Sequence, residues 1–316
     1  MKVVALAGGV GGAKLADGLY RVVPAEDLTV IVNTGDDFDH LGLRICPDLD
    51  TVCYTLAEMA NPQTGWGQTG ETWQALESIR RLNGPDWFAL GDRDLGVHLE
   101  RTRRLKDGAS LSQVTAQFCQ SWGIRAQVLP MSDDPIATIV QTADDGELGF
   151  QEYFVHRRCE PRVVGFRFEG IEAAQPAPSI EAALRAADAV IICPSNPWVS
   201  IGPILSVPGI QPLLAGKTVV AVSPIIGGKA IKGPAAKMYQ ELGFEPSALT
   251  VFQHYGRLLR GYVFDEIDRD ISGIVEVSSI IPLVTATIMV SLDDRRQLAK
   301  QIFDFCTEIS RRHTDP

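Results

Sequence analysis

No stretch of the sequence carries enough consecutive apolar residues to cross a bilayer as a helix, which excludes an integral helical membrane protein. The apolar start from Met1 is also too short for a signal peptide and runs straight into glycine, so a cytoplasmic location is expected. Positive charge is scarce: 29 Lys and Arg against 39 Asp and Glu leave a net charge of −10. A phosphate backbone is gripped by clustered cations, so no nucleic-acid partner is expected. The six cysteines include no CxxC pair, which argues against a structural zinc or a disulfide framework and leaves reduced, mostly buried thiols. GxSxG, HExxH and Walker patterns are missing too. With no internal repeat, low-complexity tract or linker, residues 1–316 are expected to form one α/β domain.

What is present has a repeating grammar. Lys2–Ala7 reads as a strand, glycines follow, and Leu15, Leu19 and Val22 then mark a helix. Leu28–Val32 repeats the strand signal and ends in Asn33-Thr34-Gly35-Asp36-Asp37, so the two strands form a parallel pair with a helical crossover. Ala189–Cys193 runs likewise into Pro194-Ser195-Asn196-Pro197, and Lys217–Val222 into Ser223-Pro224-Ile225-Ile226-Gly227-Gly228-Lys229. In a mostly parallel, Rossmann-like sheet such loops gather at the carboxyl edge, where ligands bind. Between these halves, Trp73–Leu82, Leu95–Leu105 and Leu111–Trp122 read as helices of an insertion covering about 62–125. Ile136–Ala143 and Leu148–Val155 flank a turn sequence and predict a β-hairpin, and Gln297–Ser310 predicts a closing helix.

Several loops have the composition of a site for an anionic ligand. In Gly8-Gly9-Val10-Gly11-Gly12-Ala13-Lys14 the missing Cβ atoms of Gly9, Gly11 and Gly12 let backbone amides approach a phosphate at a helix N-terminus, with Lys14 beside them. A merely tight turn is the alternative, since the loop is neither a Walker nor a clean GxGxxG pattern. Asp36, Asp37, Asp48 and Asp50 offer the hard oxygens that Mg²⁺ takes, although Asp48 or Asp50 would serve equally as a helix cap. Asn33 and Thr34 join the substrate-contacting set from the same loop. Arg93, between two acids in Gly91-Asp92-Arg93-Asp94, would fork onto a phosphate or a planar ring, or else make a surface ion pair. Ser132 and Asp133, Ser195 and Asn196, and Ser223 supply polar groups for a ligand, with turn capping as the competing reading. Gly228, Lys229 and Lys232 resemble a second anion cradle. The histidines are isolated, and none is assigned a role.

Taken together these segments resemble the 2-phospholactate transferase family, which completes the core of the deazaflavin coenzyme F420. The resemblance runs through GGVGGAKL from Gly8, VNTGDD from Val32, CPDLDTVCYTL from Cys46, LGDRDL from Leu90, MSDDP from Met131, FQEYFV from Phe150, PSNPWVSIGPIL from Pro194 and SPIIGGKAIKGPAAKM from Ser223. It implies a Rossmann-like fold with inserted helices, a homodimer and assistance by Mg²⁺. It further implies transfer of a phospholactyl or phosphoenolpyruvyl-type group from a guanosine diphosphate-linked donor to the ribityl hydroxyl of 7,8-didemethyl-8-hydroxy-5-deazariboflavin, releasing GMP. On that reading Asp37 and Asp36 hold the metal, Asp50 orients or deprotonates the hydroxyl, Arg93 contacts acceptor or phosphate, and Lys229 and Lys232 face the leaving group. One departure is His40-Leu41-Gly42, where some relatives carry His-Gly, so His40 stays outside the catalytic set. The rival reading is a nucleotide-sugar-binding regulatory protein on the same scaffold. It has no use for the four clustered acids. A nicotinamide dehydrogenase fits less well, because the glycine loop departs from its fingerprint.

Overall fold

The computed structural model describes residues 1–230 and 235–314. The chain opens with β1 (Val3–Ala7), α1 (Gly9–Val22) and β2 (Leu28–Val32). A short hairpin of β3 (Phe38–His40) and β4 (Leu43–Ile45) leads into α2 (Pro47–Leu56). Three helices, α3 (Gln74–Arg81), α4 (Asp92–Lys106) and α5 (Leu111–Ser121), fill the stretch before β5 (Gln127–Pro130), where the helical insertion is expected. An antiparallel sheet of β6 (Ala137–Thr142), β7 (Glu147–Gly149) and β8 (Val163–Glu169) follows. The chain returns through β9 (Ala189–Ile192), β10 (Thr218–Val222), a ribbon of β11 (Ile225–Ile226) and β12 (Lys229–Ala230), β13 (Gly261–Phe264) and β14 (Ile281–Val284). Leu292–Thr314 is the closing helix.

The central sheet has the order β14-β13-β10-β9-β1-β2-β5, and every pair in it is parallel. The strands are short and almost wholly apolar because helices cover both faces, and alternate side chains therefore enter two different cores. Val3, Ala5 and Ala7 of β1 join Ala189 and Ile191 of β9 in one core, against α1, α2 and the closing helix. Val4 and Leu6 join Val190 and Ile192 in the other. The closing helix packs so tightly on α1 that a Cβ at Gly18 would stand 2.2 Å from the Arg295 carbonyl oxygen. Asp17, buried at that contact, pairs with Arg21 and with Arg295.

The predicted hairpin is half correct. Its first arm is β6, but of the second arm only Leu148 and Gly149 pair with it, joined by Glu147 from the expected turn, and Glu152–His156 coils into a helical turn. Phe150, Gln151 and Tyr153 are buried there, and the adjacent burial of Phe150 and Gln151 breaks the alternation that a strand would need. β8 provides the long partner instead.

Candidate active site

The chain builds β1, β2 and β5 outward on one side, then returns to lay β9 against the free edge of β1, so strand order reverses between β1 and β9. The loops leaving these two strands part there and open a crevice. They are clasped by one side chain: Ser195 Oγ accepts from the Gly8 amide at 3.1 Å and donates to the Gly8 carbonyl at 2.8 Å. This approach is what the glycines permit. A Cβ at Gly11 would lie 2.3 Å from the Pro194 carbonyl oxygen, and one at Gly12 would lie 2.4 Å from Ser195 Oγ. Gly9 has φ +61, a conformation glycine adopts without steric cost.

Above the crevice lies a cavity of about 620 Å³ with two chemically distinct parts. Gly8, Gly9, Gly11, Lys14, Asp36, Asp48, Asp50, Ser195, Asn196 and Ser223 line the polar part, so the ends of β1, β2, β9 and β10 all reach it. Trp66, Trp87, Phe88, Phe150, Phe154 and Val155 line the apolar part. Trp87 is braced there, stacked on His156 at 5.2 Å and edge-on to His40 at 5.1 Å.

The acids are individually committed. Asp48 Oδ1 accepts from the Gly9 amide at 2.7 Å and its Oδ2 from Asn33 Nδ2 at 2.9 Å, while Asn33 Oδ1 accepts from the Gly35 amide. Asn33 therefore aims Asp48 rather than lining the cavity itself. The two Asp50 oxygens accept from the guanidinium of buried Arg101, and Arg101 Nη1 lies 3.1 Å from His98 Nδ1. That arginine donates only, so Nδ1 presents its lone pair and the ring proton belongs on Nε2. Neither acid caps α2 with a side-chain hydrogen bond. Lys14 Nζ donates to the Met289 carbonyl at 2.6 Å.

Asp36 and Asp37 differ from these. Asp36 Oδ1 and both carboxylate oxygens of Asp37 are buried without a hydrogen-bond partner, and Arg44 comes only within 3.8 Å of Asp37. Burial raises Asp36 well above the carboxylate range, helped by the charge of Asp48. Burial also pushes Asp37 up to about 7 and Asp48 up to about 6. Orphaned buried oxygens with a reluctance to ionise are what a divalent cation would relieve. Among the described residues no group of three or more His, Cys, Asp or Glu converges on one point. The residues thus fit a cation such as Mg²⁺, held by one or two carboxylates together with waters and substrate phosphates.

Other predicted residues stand elsewhere. Arg93 is exposed and turned from the cavity: its Nη1 donates to the Thr69 carbonyl at 2.8 Å, bracing the loop that carries Trp66 and Gly67. Ser132 donates to the Gln175 carbonyl, and Asp133 accepts from the Ser112 amide and hydroxyl at the start of α5. Their loop follows β5, the edge strand farthest from the crevice on its side, so capping explains it. Thr34 is buried outside the lining. Gly227 and Gly228, at φ +54 and +76, make the two-residue turn of the β11–β12 ribbon, and the Gly227 amide is already taken by Asp268. Among the described residues of this loop, Lys229 is exposed and neither glycine lines the cavity. Lys232 lies outside the described residues. Conversely, the cavity includes Tyr54, Asp94, His98, Trp87 and Thr287, none of them predicted. Asp94, His98 and Arg101 were readable as a polar stripe at helical spacing; Thr287 follows β14 with no distinctive sequence around it.

The profile of the family described as 2-phospho-L-lactate transferase CofD matches residues 3–271. The chain is 42% identical over 316 residues to a phosphoenolpyruvate transferase of Streptomyces griseus, covering 98% of this chain and 99% of that one. It is 39% identical over 298 residues to a 2-phospho-L-lactate transferase of Methanosarcina mazei, covering 94% and 98%. Among solved structures, a protein of the UPF0052 family from Bacillus halodurans matches with a TM-score of 0.64 over 96% of this chain and 98% of that one. Its sequence identity is 14%, so this likeness speaks for the fold alone.

Proposed function

We propose that this chain, which belongs to the 2-phospho-L-lactate transferase CofD family and is a transferase, moves a phosphate-linked three-carbon acid from a guanosine diphosphate-linked donor to the ribityl hydroxyl of 7,8-didemethyl-8-hydroxy-5-deazariboflavin. GMP is the leaving group, and the reaction belongs to the making of coenzyme F420. The observation that carries this reading is the two-part cavity. Its polar part offers the N-terminus of α1, whose Gly8 and Gly9 amides are held by Ser195 and Asp48, together with Lys14 and acids suited to a cation, which is the chemistry of a diphosphate site. Its aromatic wall of Trp66, Trp87 and Phe88 suits a planar tricyclic ring.

In this reading the hydroxyl oxygen attacks the phosphorus distal to guanosine, in line with the departing GMP oxygen. Catalysis is then mainly positioning and charge neutralisation, with no covalent bond to the protein. Asp36, backed by Asp37, would hold Mg²⁺, which neutralises charge on the diphosphate when bound. Asp48 keeps the Gly9 turn in place, and Ser195 keeps the two loops together. Asp50, held through both oxygens by Arg101, would orient groups in the polar part. A homodimer and a cytoplasmic location belong to the same reading; no helix among the described residues is long and apolar enough to cross a membrane.

The test is incubation with the deazaflavin, Mg²⁺ and separate synthetic donors carrying lactate or enolpyruvate, followed by mass analysis. A phosphodiester product with equimolar GMP is expected from at least one donor. No product from any of them would remove the assignment.

A further inference from the structure

The buried residues of α4 are Asp94, His98, Arg101 and Thr102, an entirely polar set at helical spacing. A helix in a water-soluble core ordinarily buries an apolar stripe, so a polar one asks for a chemical reason. Two members of the set are structural. Thr102 Oγ1 accepts from the Arg44 amide at 2.8 Å, and Arg101 donates to the Arg44 carbonyl and to Asp50. Asp94 has no such duty. It lines the cavity, is 9% exposed, and its carboxylate is held by neutral donors, Gln68 Nε2 at a long 3.5 Å and the Tyr54 hydroxyl beside it.

Taking the transferase reading as its basis, we propose that Asp94 is the group that takes the proton from the acceptor hydroxyl. Four carboxylates line the cavity, namely Asp36, Asp48, Asp50 and Asp94. Asp48 is spent on Gly9 and Asn33, Asp50 on Arg101, and Asp36 sits at the sheet edge among the diphosphate-facing groups. Asp94 lies instead at the Gly67 loop, beside the aromatic wall, where a Cβ on Gly67 would stand 3.5 Å from its Oδ2. As the new bond forms between the hydroxyl oxygen and phosphorus, the bond to the GMP oxygen breaks. The proton moves to the Asp94 carboxylate, and GMP leaves with the bonding pair.

The electrostatics agree with that task. Burial first, then the charge of Asp50, raise the Asp94 carboxyl to about 7. Tyr54 and Gln68 act in the opposite direction and Glu71 in the same one, while His98, one turn along α4, stays neutral because burial lowers it to about 4. A base is most effective when its pKa lies near the working pH. Ionised Asp94 is the active form, so kcat/KM should rise with pH through about 7 and then level.

The experiment measures turnover, deazaflavin affinity by fluorescence and the pH profile in wild type, Asp94→Asn and Asp94→Glu. Asp94→Asn is expected to lose at least about a hundredfold in kcat, the lower end of general-base contributions, while deazaflavin affinity stays at the wild-type value. Asp94→Glu, also a check on folding, should keep a rising acid limb at a displaced pH with reduced kcat. An Asp94→Asn enzyme that keeps wild-type kcat, or loses affinity in proportion to kcat, overturns the role of Asp94 alone. A wild-type enzyme that makes no phosphodiester overturns the transferase reading first.

Discussion

At the scale of single residues, the unusual positions fall where the chain turns sharply or buries charge. Leu41, with φ +54, begins the two-residue turn between β3 and β4, and Gly42 follows at φ +75. A left-handed leucine costs about 1–2 kcal/mol that asparagine largely avoids. Leu41→Asn should therefore raise stability by roughly 0.5–1 kcal/mol in urea denaturation, since little burial is lost at an exposed site. Arg101 makes the opposite case. Removing it in Arg101→Met strands Asp50 without its counter-ion, and a loss of about 3–5 kcal/mol is expected. The double variant Arg101→Met with Asp50→Leu should recover most of that loss in the same denaturation series. The place of the glycines after β1 and of Asp36 after β2 on the cavity was legible in the sequence, because loops that leave parallel strands gather at the carboxyl edge of the sheet. Arg93 and Asp94 were not separable. Adjacent residues on a helix point about 100° apart, and nothing in a one-residue choice says which of them faces inward.

At the scale of elements, α1 shows how a local rule loses to packing. Gly18→Ala would gain about 1 kcal/mol of helix propensity in isolation. The new methyl meets the Arg295 carbonyl at 2.2 Å, and overpacking of that kind typically costs 1–3 kcal/mol. A net loss of stability is expected, seen as a lower Tm, and a rise would mean that the closing helix yields easily. The parallel strands were readable because strands buried on both faces are apolar throughout. β7 was read too long because Phe150, Tyr153, Phe154 and Val155 are strand-forming residues, yet the chain coils into a helical turn at Glu152–His156 and buries the adjacent Phe150 and Gln151. The ribbon β11–β12 looked like an anion loop for a related reason: two glycines serve a hairpin turn as readily as a phosphate cradle.

For the whole molecule, the acid cluster sets a dependence of stability on pH. The Asp36 carboxyl lies well above its ordinary value in the fold, and Asp37 and Asp48 lie at about 7 and about 6. Such groups favour the folded state while protonated, and that contribution is lost as pH rises through the folded pKa. Asp36→Asn removes one such penalty, so without divalent cations it should be more stable than wild type at pH 8, by a margin that shrinks as pH falls to 5. Denaturation in chelator at both pH values decides this. Millimolar Mg²⁺ should raise the wild-type Tm more at pH 8 than at pH 5, and Asp36→Asn should lose that response. The sheet and its cavity-bearing edge were legible from repeated strand-and-loop grammar, whereas the aromatic wall was not, since Trp66, Trp87 and Phe154 come from separate segments that only the tertiary fold brings together. The clasp of Ser195 on Gly8 has a consequence for synthesis. A ribosome releases the glycine loop first, and more than half of the chain must follow before the hydroxyl that closes it emerges. The nascent N-terminal half therefore carries the glycine loop with no clasp, and the crevice takes its final shape only after the second half has docked.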